Sequence, residues 1–281
     1  NLTPEKIPQD IYQMVADVVT EKVKEEAKHG VPLSKEWLSF GIDRKITKRP
    51  VMVVPYGGTR FSCRAYVEDA INDKILSNQN INPFGEQIYE ASLYLGKHVW
   101  DAIGEVVIKS REAMSWLQKI GRAMSEKNLP IIWETPSGFV VQQVYSSMKS
   151  RRITTHIDNV LIKPTILEET SRIDRRRTIN GVSPNFVHSM DATALTMTIN
   201  KCILEGINNF SVVHDSFGVH AHHVPRLADS IRKSFVEMYS NTDVLENFYE
   251  NVVDVIPNLE EPPSKGELDI SGVLTSKYFF S

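Results

Sequence analysis

The residue types best suited to chemistry form a cluster of cations in the segment from Arg44 to Tyr56. If the first half of this segment is helical, Arg44 and Lys48 lie one turn apart on one face, with Arg49 beside them. Lysine supplies a mobile point charge and arginine a planar fork of donors, so together they can neutralise a polyphosphate. Tyr56 places a hydroxyl further along, where the following Gly-Gly pair would let a ligand approach the backbone. The alternative is a solvated basic helix, and the pattern alone leaves both interpretations open.

A lone carboxylate in a predicted turn is the second candidate. Residues 210–219 alternate in a way typical of a β-hairpin with Asp215 at its tip. Such a turn would hold the carboxylate out of the core, where a metal ion could bind it, although aspartate is also common in turns for local reasons. Three nearby histidines have no cysteine or carboxylate pair beside them, which makes a weak zinc pattern. They are His220, His222 and His223.

The elements that position these residues are predicted from hydrophobic periodicity and from Pro and Gly. The spacing predicts a strand at Val51–Val54, a hairpin within Pro130–Gln143 and a second pair of strands at Tyr145–Thr155 and Val160–Ile166. The predicted helices are Pro8–Ala27, Trp37–Arg49, Phe61–Ser77, Pro83–Leu95, Lys97–Lys109, Arg111–Glu126, Ala192–Glu205, Val224–Leu245 and Leu245–Ile256. Pro50 and Pro55 predict a kink or local unwinding after the cation cluster. Trp100 and Trp116 are expected in the core of this helical region, with base stacking as the less favoured alternative.

The overall composition excludes some classes of protein. A chain of 281 residues with 41% hydrophobic and 24% charged residues can bury a sizeable core as one large or two ordinary domains. No apolar run approaches the ~20 residues of a membrane span, so no membrane role is expected. The net charge of −3 means that any nucleic-acid contact must come from local basic stretches. Cys63 and Cys202 lack disulfide or metal spacing, which predicts buried thiols in a reducing cytoplasm.

Three ordered motifs resemble those of one family, the single-subunit DNA-directed RNA polymerases of phages and mitochondria, and podophage enzymes most closely. They are RxxxKRxxxxxxYG from Arg44 to Gly57, GVSPNFVHSMD from Gly181 to Asp191, and HDSFG from His214 to Gly218. The resemblance extends through the connecting segments and covers nearly all of the chain. It implies an α+β, mainly α, right-hand polymerase fold, in which the segment with Pro50 and Pro55 belongs to one long fingers helix rather than to a strand. Residues 1–188 would be the fingers, including a β-hairpin specificity loop at 145–164, and residues 189–281 the carboxy-terminal half of the palm with an aromatic foot at its end.

The resemblance implies DNA-templated RNA synthesis from ribonucleoside triphosphates with two Mg²⁺ ions. Lys48 and Asp215 would be catalytic, Lys48 by protonating the departing pyrophosphate and Asp215 as a metal ligand. Nucleotide-binding roles are implied for Arg44, Arg49, Tyr56, Gly57, His188 and Tyr12. Packing of Tyr12 within its helix and helix capping around His188 are the structural alternatives.

The resemblance also implies contacts with promoter and template DNA and with nascent RNA. The readout candidates in the specificity hairpin are Arg151, Arg152, Thr154 and Lys163, since arginine suits guanine edges in the major groove. Phosphate contacts alone are an equal alternative for each of them. Arg175, Arg176 and Arg177 form the densest charge run, which favours a phosphate track over a merely solvated face. A contact with promoter or template DNA is also implied for His214.

No stretch resembles the family motif that carries the first metal-binding aspartate, and none resembles the amino-terminal promoter domain or the thumb. The chain also opens at Asn1 rather than methionine. We therefore expect part of a longer polymerase or one subunit of a split enzyme, inactive without an upstream segment or partner that carries the other aspartate. The resemblance favours the cytoplasm of an infected bacterial cell over a mitochondrion. Two alternatives stay open: a non-catalytic nucleic-acid-binding remnant, and a metal-dependent nuclease built on Asp215 and the histidines.

Overall fold

The computed structural model describes residues 1–77, 82–256 and 258–280. The chain divides into two compact units, one comprising Asn1–Met114 and Glu267–Ser281 and the other Ser115–Gly266. The secondary structure is mainly helical with small antiparallel sheets, as an α+β fold requires. The predicted division between fingers and palm at residue 188 stays a prediction, because the two compact units are not identified as fingers or palm. No helix in the described ranges is long and apolar enough to cross a membrane.

The first unit is helical. Its helices are α1 Ile11–Lys28, α2 Ser34–Phe40, α3 Arg44–Val53, α4 Arg60–Ser77, α5 Ile88–Val106 and the start of α6 Ile108–Glu126, and a 3₁₀ helix at Ile270–Thr275 belongs to it as well. The predicted first helix is confirmed in α1, where Val15, Val19 and Val23 recur at helical spacing and are fully buried. Trp100 is only partly buried and packs against this core, while the Arg111 guanidinium lies 4.7 Å from its ring centroid.

The segment of the cation cluster differs from its prediction in two ways. The predicted helix Trp37–Arg49 is divided at Gly41, which ends α2 with a φ of 84° that favours glycine. The predicted strand at Val51–Val54 is wrong, because α3 continues through Pro50 to Val53. Burial of Ile46 and Val51 on one helical face stabilises this extension. Pro55 falls in the turn that follows the helix.

A predicted break near Gly96 is also wrong, because α5 is continuous. Gly96 is buried, and a Cβ atom added there would lie 2.9 Å from the Cα of Arg64 on α4. A glycine at this position therefore permits close packing of two helices rather than ending one. The local preference of glycine for loops had predicted the break.

Among the described residues, the second unit contains the rest of α6, the strands, three α-helices and one 3₁₀ turn. Its strands pair in antiparallel twos: β1 Ile131–Glu134 with β2 Val140–Gln143, β3 Ser146–Arg152 with β6 Thr165–Ile173, β4 Thr155–Ile157 with β5 Val160–Ile162, and β7 Ser211–Val213 with β8 Ser216–Gly218. Its helices are α7 Arg175–Leu204, a 3₁₀ turn Ala221–His223, α8 Val224–Asn241 and α9 Val244–Val252. The core is aromatic: the ring centroids of Trp133 and Phe186 lie 5.4 and 5.3 Å from that of Phe248. Trp116 is buried as predicted, but in this core rather than in the same core as Trp100.

The predicted helix start at Ala192 is wrong. Helix α7 begins at Arg175 and contains the whole motif from Gly181 to Asp191, with Asp174 as its cap through a 2.9 Å bond from the Arg177 backbone N–H. Within the motif Val182, Phe186 and Met190 recur every four residues and are buried. The motif therefore supplies a helical core face, and its polar residues occupy the remaining faces.

The long hairpin exceeds its predicted bounds of 145–164. Its outer ladder pairs Arg152 with Thr165 and extends back to Ser146 opposite Ile173, with an irregularity between Ser146 and Met148. A separate short ladder, β4 with β5, forms the distal end. The predicted strands stopped too early because β6 is almost entirely exposed and carries no apolar alternation.

Candidate functional site

Arg44 and Tyr12, both predicted to bind nucleotide, lie together in the first unit. The Nε of Arg44 donates a hydrogen bond to Oδ2 of Asp10, and its guanidinium carbon lies 5.1 Å from the Tyr12 ring centroid. A further bond of 2.7 Å from the Thr47 hydroxyl to the Tyr12 carbonyl ties α3 to α1. These residues border a cavity of about 620 Å³ lined by Asn1, Pro8, Gln9, Asp10, Ile11, Tyr12, Met14, Arg44 and Val106.

Asp10 joins two structural features through its two carboxylate oxygens. Oδ1 caps α1 by accepting from the backbone N–H groups of Tyr12 at 2.9 Å and Gln13 at 3.3 Å, while Oδ2 holds Arg44. Partial burial raises the pKa of this carboxyl, but the bonds from Arg44 and the two N–H groups outweigh that effect and lower the pKa below its ordinary value. The carboxylate is therefore held in its charged form.

Lys48 and Arg49 follow on the same helix. Arg49 Nη1 lies 3.0 Å from Oδ2 of Asp69, and the guanidinium carbon lies 4.4 Å from the Tyr66 ring centroid. Lys48 is exposed, and within the described ranges its ammonium group makes no hydrogen bond or ion pair. The three cations thus differ in availability: two are oriented by carboxylates and rings, whereas Lys48 can reach an added anion without breaking a contact.

Tyr56 and Gly57 lie in the turn after α3. The Gly57 N–H donates to the Val54 carbonyl at 3.1 Å, and its φ of 83° lies in the left-handed region that favours glycine. At Gly58 a Cβ atom would lie 2.8 Å from the Val53 carbonyl oxygen, so this position also requires glycine. Tyr56 is 40% exposed. The geometry of the turn therefore accounts for both glycines, independently of any ligand.

Asp215 occupies the tip of the predicted hairpin in the second unit. The register pairs Val213 with Ser216, so that His214 and Asp215 form the two-residue turn, with His214 at a φ of 53°. Both side chains are exposed. The carboxylate is a donor that suits a hard divalent cation, but the described residues contain no group of three or more His, Cys, Asp or Glu that could hold a metal, and this includes the three histidines.

Asp191 is a functional candidate that sequence reasoning missed. Asp191 is an exposed residue, but partial loss of the water around its carboxyl raises the pKa; the charge of His188 lowers the pKa and that of Asp215 raises it, and the net shift is upward. His188 and Asp215 are therefore close enough for their charges to affect the ionisation of Asp191. The i, i+3 spacing of His188 and Asp191 would have indicated a shared face if the motif had been predicted as helical.

His188 projects from α7 beside a second cavity of about 640 Å³. Its lining residues are Thr135, Ser137, Gly138, Phe139, Val141, Asn185, His188, Ser189, Ala192, Thr193 and Thr196. The next residue, Ser189, is buried and accepts a 3.0 Å hydrogen bond from the Trp133 indole N–H. This bond connects β1 with α7 directly beside the predicted nucleotide-binding histidine.

The predicted readout residues of the long hairpin do not share one surface. Arg151 is paired with Ile166 and Arg152 with Thr165, and neighbouring residues of a strand point to opposite faces. Arg151 also lies 3.3 Å from Glu168 in an exposed ion pair. Thr154 and Lys163 are exposed in the segments between the two ladders. A DNA groove in contact with one face of β3 would therefore contact only one of the two arginines.

The arginine run forms the first turn of α7. Arg175 Nη2 lies 2.6 Å from Glu126, and the Arg177 guanidinium carbon lies 4.8 Å from the Tyr145 ring centroid. A polar cavity of about 530 Å³ adjoins this turn, lined by Tyr145, Asp174, Arg176, Arg177, Asn180 and Gly181. Arg176 makes no hydrogen bond or ion pair in the part of the chain that the structure describes.

Comparisons with known proteins identify the class. A family profile described as DNA-dependent RNA polymerase matches residues 1–259, and the chain belongs to this family, of the type found in phage T7. The DNA-directed RNA polymerase of Enterobacteria phage T3 is 32% identical and T7 RNA polymerase of Escherichia phage T7 29%, each matching 100% of this chain. The mitochondrial DNA-directed RNA polymerase 1 of Nicotiana sylvestris is 30% identical, also over the whole chain. The chain spans 37% of the length of the two phage relatives and 28% of that of the plant relative.

Proposed function

We propose that this chain supplies part of the active site of an enzyme that synthesises RNA on a DNA template from ribonucleoside triphosphates. The observation that carries this proposal is its membership of the DNA-dependent RNA polymerase family. Because the chain spans only part of the length of its relatives, the complete activity would require residues outside it. A phage origin would place that activity in the cytoplasm of an infected bacterial cell.

The triphosphate would bind along α3. Arg44 and Arg49 would hold its tail, and Lys48 would neutralise developing charge and protonate the departing pyrophosphate. The exposed, unpaired state of Lys48 among the described residues supports this role, since its ammonium group has no contact there that a phosphate would have to replace. The Tyr56 hydroxyl would help distinguish ribose from deoxyribose, so Tyr56→Phe should accept deoxynucleotides more readily in a competition assay.

Asp215 would be one carboxylate ligand of the two Mg²⁺ ions that this class of reaction uses. When bound, those ions activate the 3′-hydroxyl and stabilise charge on the triphosphate. One carboxylate is too few for two divalent ions, and the described residues offer no three-residue ligand group. An upstream segment or a second subunit carrying another aspartate would complete the set.

Nucleic acid would contact the second unit. His188 would face the incoming nucleotide, and His214 the template strand beside Asp215. The phosphate contacts would come from Arg175, Arg176 and Arg177. The promoter sequence would be recognised by Arg151, Arg152, Thr154 and Lys163. The polar cavity at the start of α7 supports the phosphate role, because it offers Arg176 beside Asn180.

A reconstitution assay tests the proposal. The isolated chain, shown by mass spectrometry to be free of partners, should not synthesise RNA from template, Mg²⁺ and ribonucleotides. Addition of a polypeptide that carries the upstream palm aspartate should restore synthesis. In the restored enzyme, Asp215→Asn should abolish incorporation and leave template binding nearly intact, and Lys48→Ala should lower the incorporation rate more than DNA binding.

The same assay separates the alternatives. Robust RNA synthesis by the isolated chain would mean that its catalytic residues are misassigned. A partner that lacks the missing aspartate, with no synthesis in the mixture, would favour a non-catalytic nucleic-acid-binding remnant. Magnesium-dependent cleavage without added nucleotides would favour a nuclease.

A further inference from the structure

We propose that Asp10 is a positioning residue that fixes the Arg44 guanidinium in the orientation needed to bind a triphosphate. The inference rests on the proposed nucleotide role of Arg44. Two observations in the first unit support it. Asp10 bonds to only one nitrogen of the Arg44 guanidinium, and both side chains border the cavity of about 620 Å³.

Different nitrogen atoms of Arg44 serve the contact with Asp10 and the proposed contact with phosphate. Asp10 engages only Nε, and within the described ranges the two terminal nitrogens make no hydrogen bond or ion pair. Those nitrogens together form the end of the guanidinium fork, which matches two oxygens of a phosphate group. Phosphate binding and the contact with Asp10 therefore use different atoms, so the ligand can bind without displacing the carboxylate.

The Arg44 side chain is also held by a second neighbour. Its guanidinium is held at Nε by Asp10 and lies near the Tyr12 ring, 5.1 Å from the centroid. The Tyr12 backbone is in turn anchored to α3 by the 2.7 Å bond from Thr47. A flexible arginine that is ordered before binding loses less entropy when the ligand arrives, which increases affinity.

The charge of Asp10 acts in the opposite direction. A carboxylate near a triphosphate repels it, so Asp10 would weaken binding if its charge dominated. Asp10 is about one-third exposed, and it is neutralised by direct contact with Arg44. Solvent screening and this pairing reduce the repulsion. The proposed role requires the ordering of Arg44 to exceed the remaining repulsion, so Asp10→Asn should weaken binding.

The ion pair between Arg49 and Asp69 has a different geometry. Its carboxylate engages Nη1 at 3.0 Å, which is a terminal nitrogen that a phosphate would need. Asp69 therefore competes with an anion for Arg49, whereas Asp10 does not compete for the terminal nitrogens of Arg44. Of these two carboxylates, Asp10 alone has the geometry of a positioning residue.

Asp10→Asn is the informative variant. Asparagine caps helices as well as aspartate does, so Oδ1 can still accept from the backbone of α1. The atom that replaces Oδ2 is an amide nitrogen, which cannot accept from Arg44. The matched control is Asp17→Asn, which removes an equal charge from α1 at a carboxylate whose partner is Gln13 rather than an arginine. Circular dichroism checks that both variants keep the helical content of the parent chain.

The test uses the 281-residue chain, ATP as the probe, and two measurements. In NMR spectra the Arg44 Nε–H, assigned by its loss in Arg44→Lys, should be protected from exchange in the parent chain and not in Asp10→Asn. Protection should persist when ATP is added. By calorimetry, Asp10→Asn should weaken ATP binding about three- to tenfold, as expected for one side chain that is no longer ordered beforehand. Asp17→Asn should not weaken it.

Unchanged or tighter ATP binding by Asp10→Asn would overturn the inference, and so would loss of Nε–H protection when ATP binds. Arg44→Ala distinguishes this failure from failure of the proposed function. If Arg44→Ala weakens ATP binding and Asp10→Asn does not, only the positioning role is wrong. If Arg44→Ala has no effect, or the parent chain shows no saturable ATP binding, the nucleotide role of Arg44 is wrong and the positioning role falls with it.

Discussion

The indole N–H of Trp133 donates a 3.0 Å hydrogen bond to the hydroxyl of Ser189, and both residues are buried. Ser189 in turn donates to the Phe186 carbonyl at 2.7 Å. The hydroxyl therefore joins β1 to α7 one residue after His188. A buried polar contact of this kind fixes the position of the helix more strictly than apolar packing does, because an unmade bond carries a penalty.

Ser189→Ala should lower the free energy of unfolding by about 1–3 kcal/mol, because it leaves the buried Trp133 N–H without an acceptor. Urea unfolding followed by tryptophan fluorescence measures the change. The control is Thr196→Ala on the same helix, where an exposed hydroxyl bonds only to the Ala192 carbonyl, and a loss below about 0.5 kcal/mol is expected. Equal losses in the two variants would contradict the importance of the Trp133 contact.

Gly96→Ala should destabilise the chain by about 1–3 kcal/mol, because the added Cβ would lie 2.9 Å from the Arg64 Cα and the backbones would have to separate. Gly104→Ala in the same helix is the matched control. There the added Cβ meets Nη1 of Arg111, the end of a flexible side chain, and the higher helix propensity of alanine offsets the cost. Thermal unfolding of both variants tests this, and a more stable Gly96→Ala would refute the close approach.

Arg151→Ala and Arg152→Ala should differ in their effect on promoter recognition, because the two side chains lie on opposite faces of β3. The variant on the face that meets the DNA should lose about 1–3 kcal/mol of discrimination between promoter and mismatched sites. The other variant should weaken binding to all sequences alike. Binding competition at fixed salt with the complete enzyme measures both, and equal losses of discrimination would contradict separate faces.

The stabilisation that Asp10 provides should depend on pH. Its pKa is lower in the folded chain than in the unfolded one, so the folded state binds fewer protons and the charged carboxylate stabilises it above the ordinary pKa. This contribution is lost as the pH falls through the lowered pKa. Asp10→Asn should therefore be less stable than the parent at pH 7, by less than about 1 kcal/mol for such a partly exposed pair. Denaturant unfolding should show the gap closing as the pH falls below the ordinary carboxyl pKa, and a gap that widens there would give the opposite sign.

Much of the fold followed from local pattern. The buried valines of α1 recur at helical spacing, and the alternation in residues 210–219 predicted the hairpin that carries Asp215. Both features depend on neighbours in the chain, so the sequence is sufficient to find them. The cation cluster was likewise visible, since Arg44 and Lys48 are one helical turn apart and Arg49 is adjacent to Lys48.

The errors have a common physical cause. Pro50 and Gly96 were interpreted by their local preferences as ends of helices, but burial of Ile46 and Val51 and the close packing against Arg64 outweigh those preferences. Helix α7 was likewise predicted to begin only at Ala192, although the buried residues Val182, Phe186 and Met190 before it have a helical period. Tertiary contacts overrode propensity in each case.

The sequence by itself determined the family, the order of its motifs and the residue types available for chemistry. Only the tertiary structure decided which partners those residues have: Arg44 is held by Asp10, thirty-four positions earlier, and Asp191 interacts electrostatically with Asp215. Such partners are separated along the chain and meet through packing of elements, which local spacing does not encode. Ionisation and side-chain orientation depend on those contacts, so they become visible only when the chain is folded.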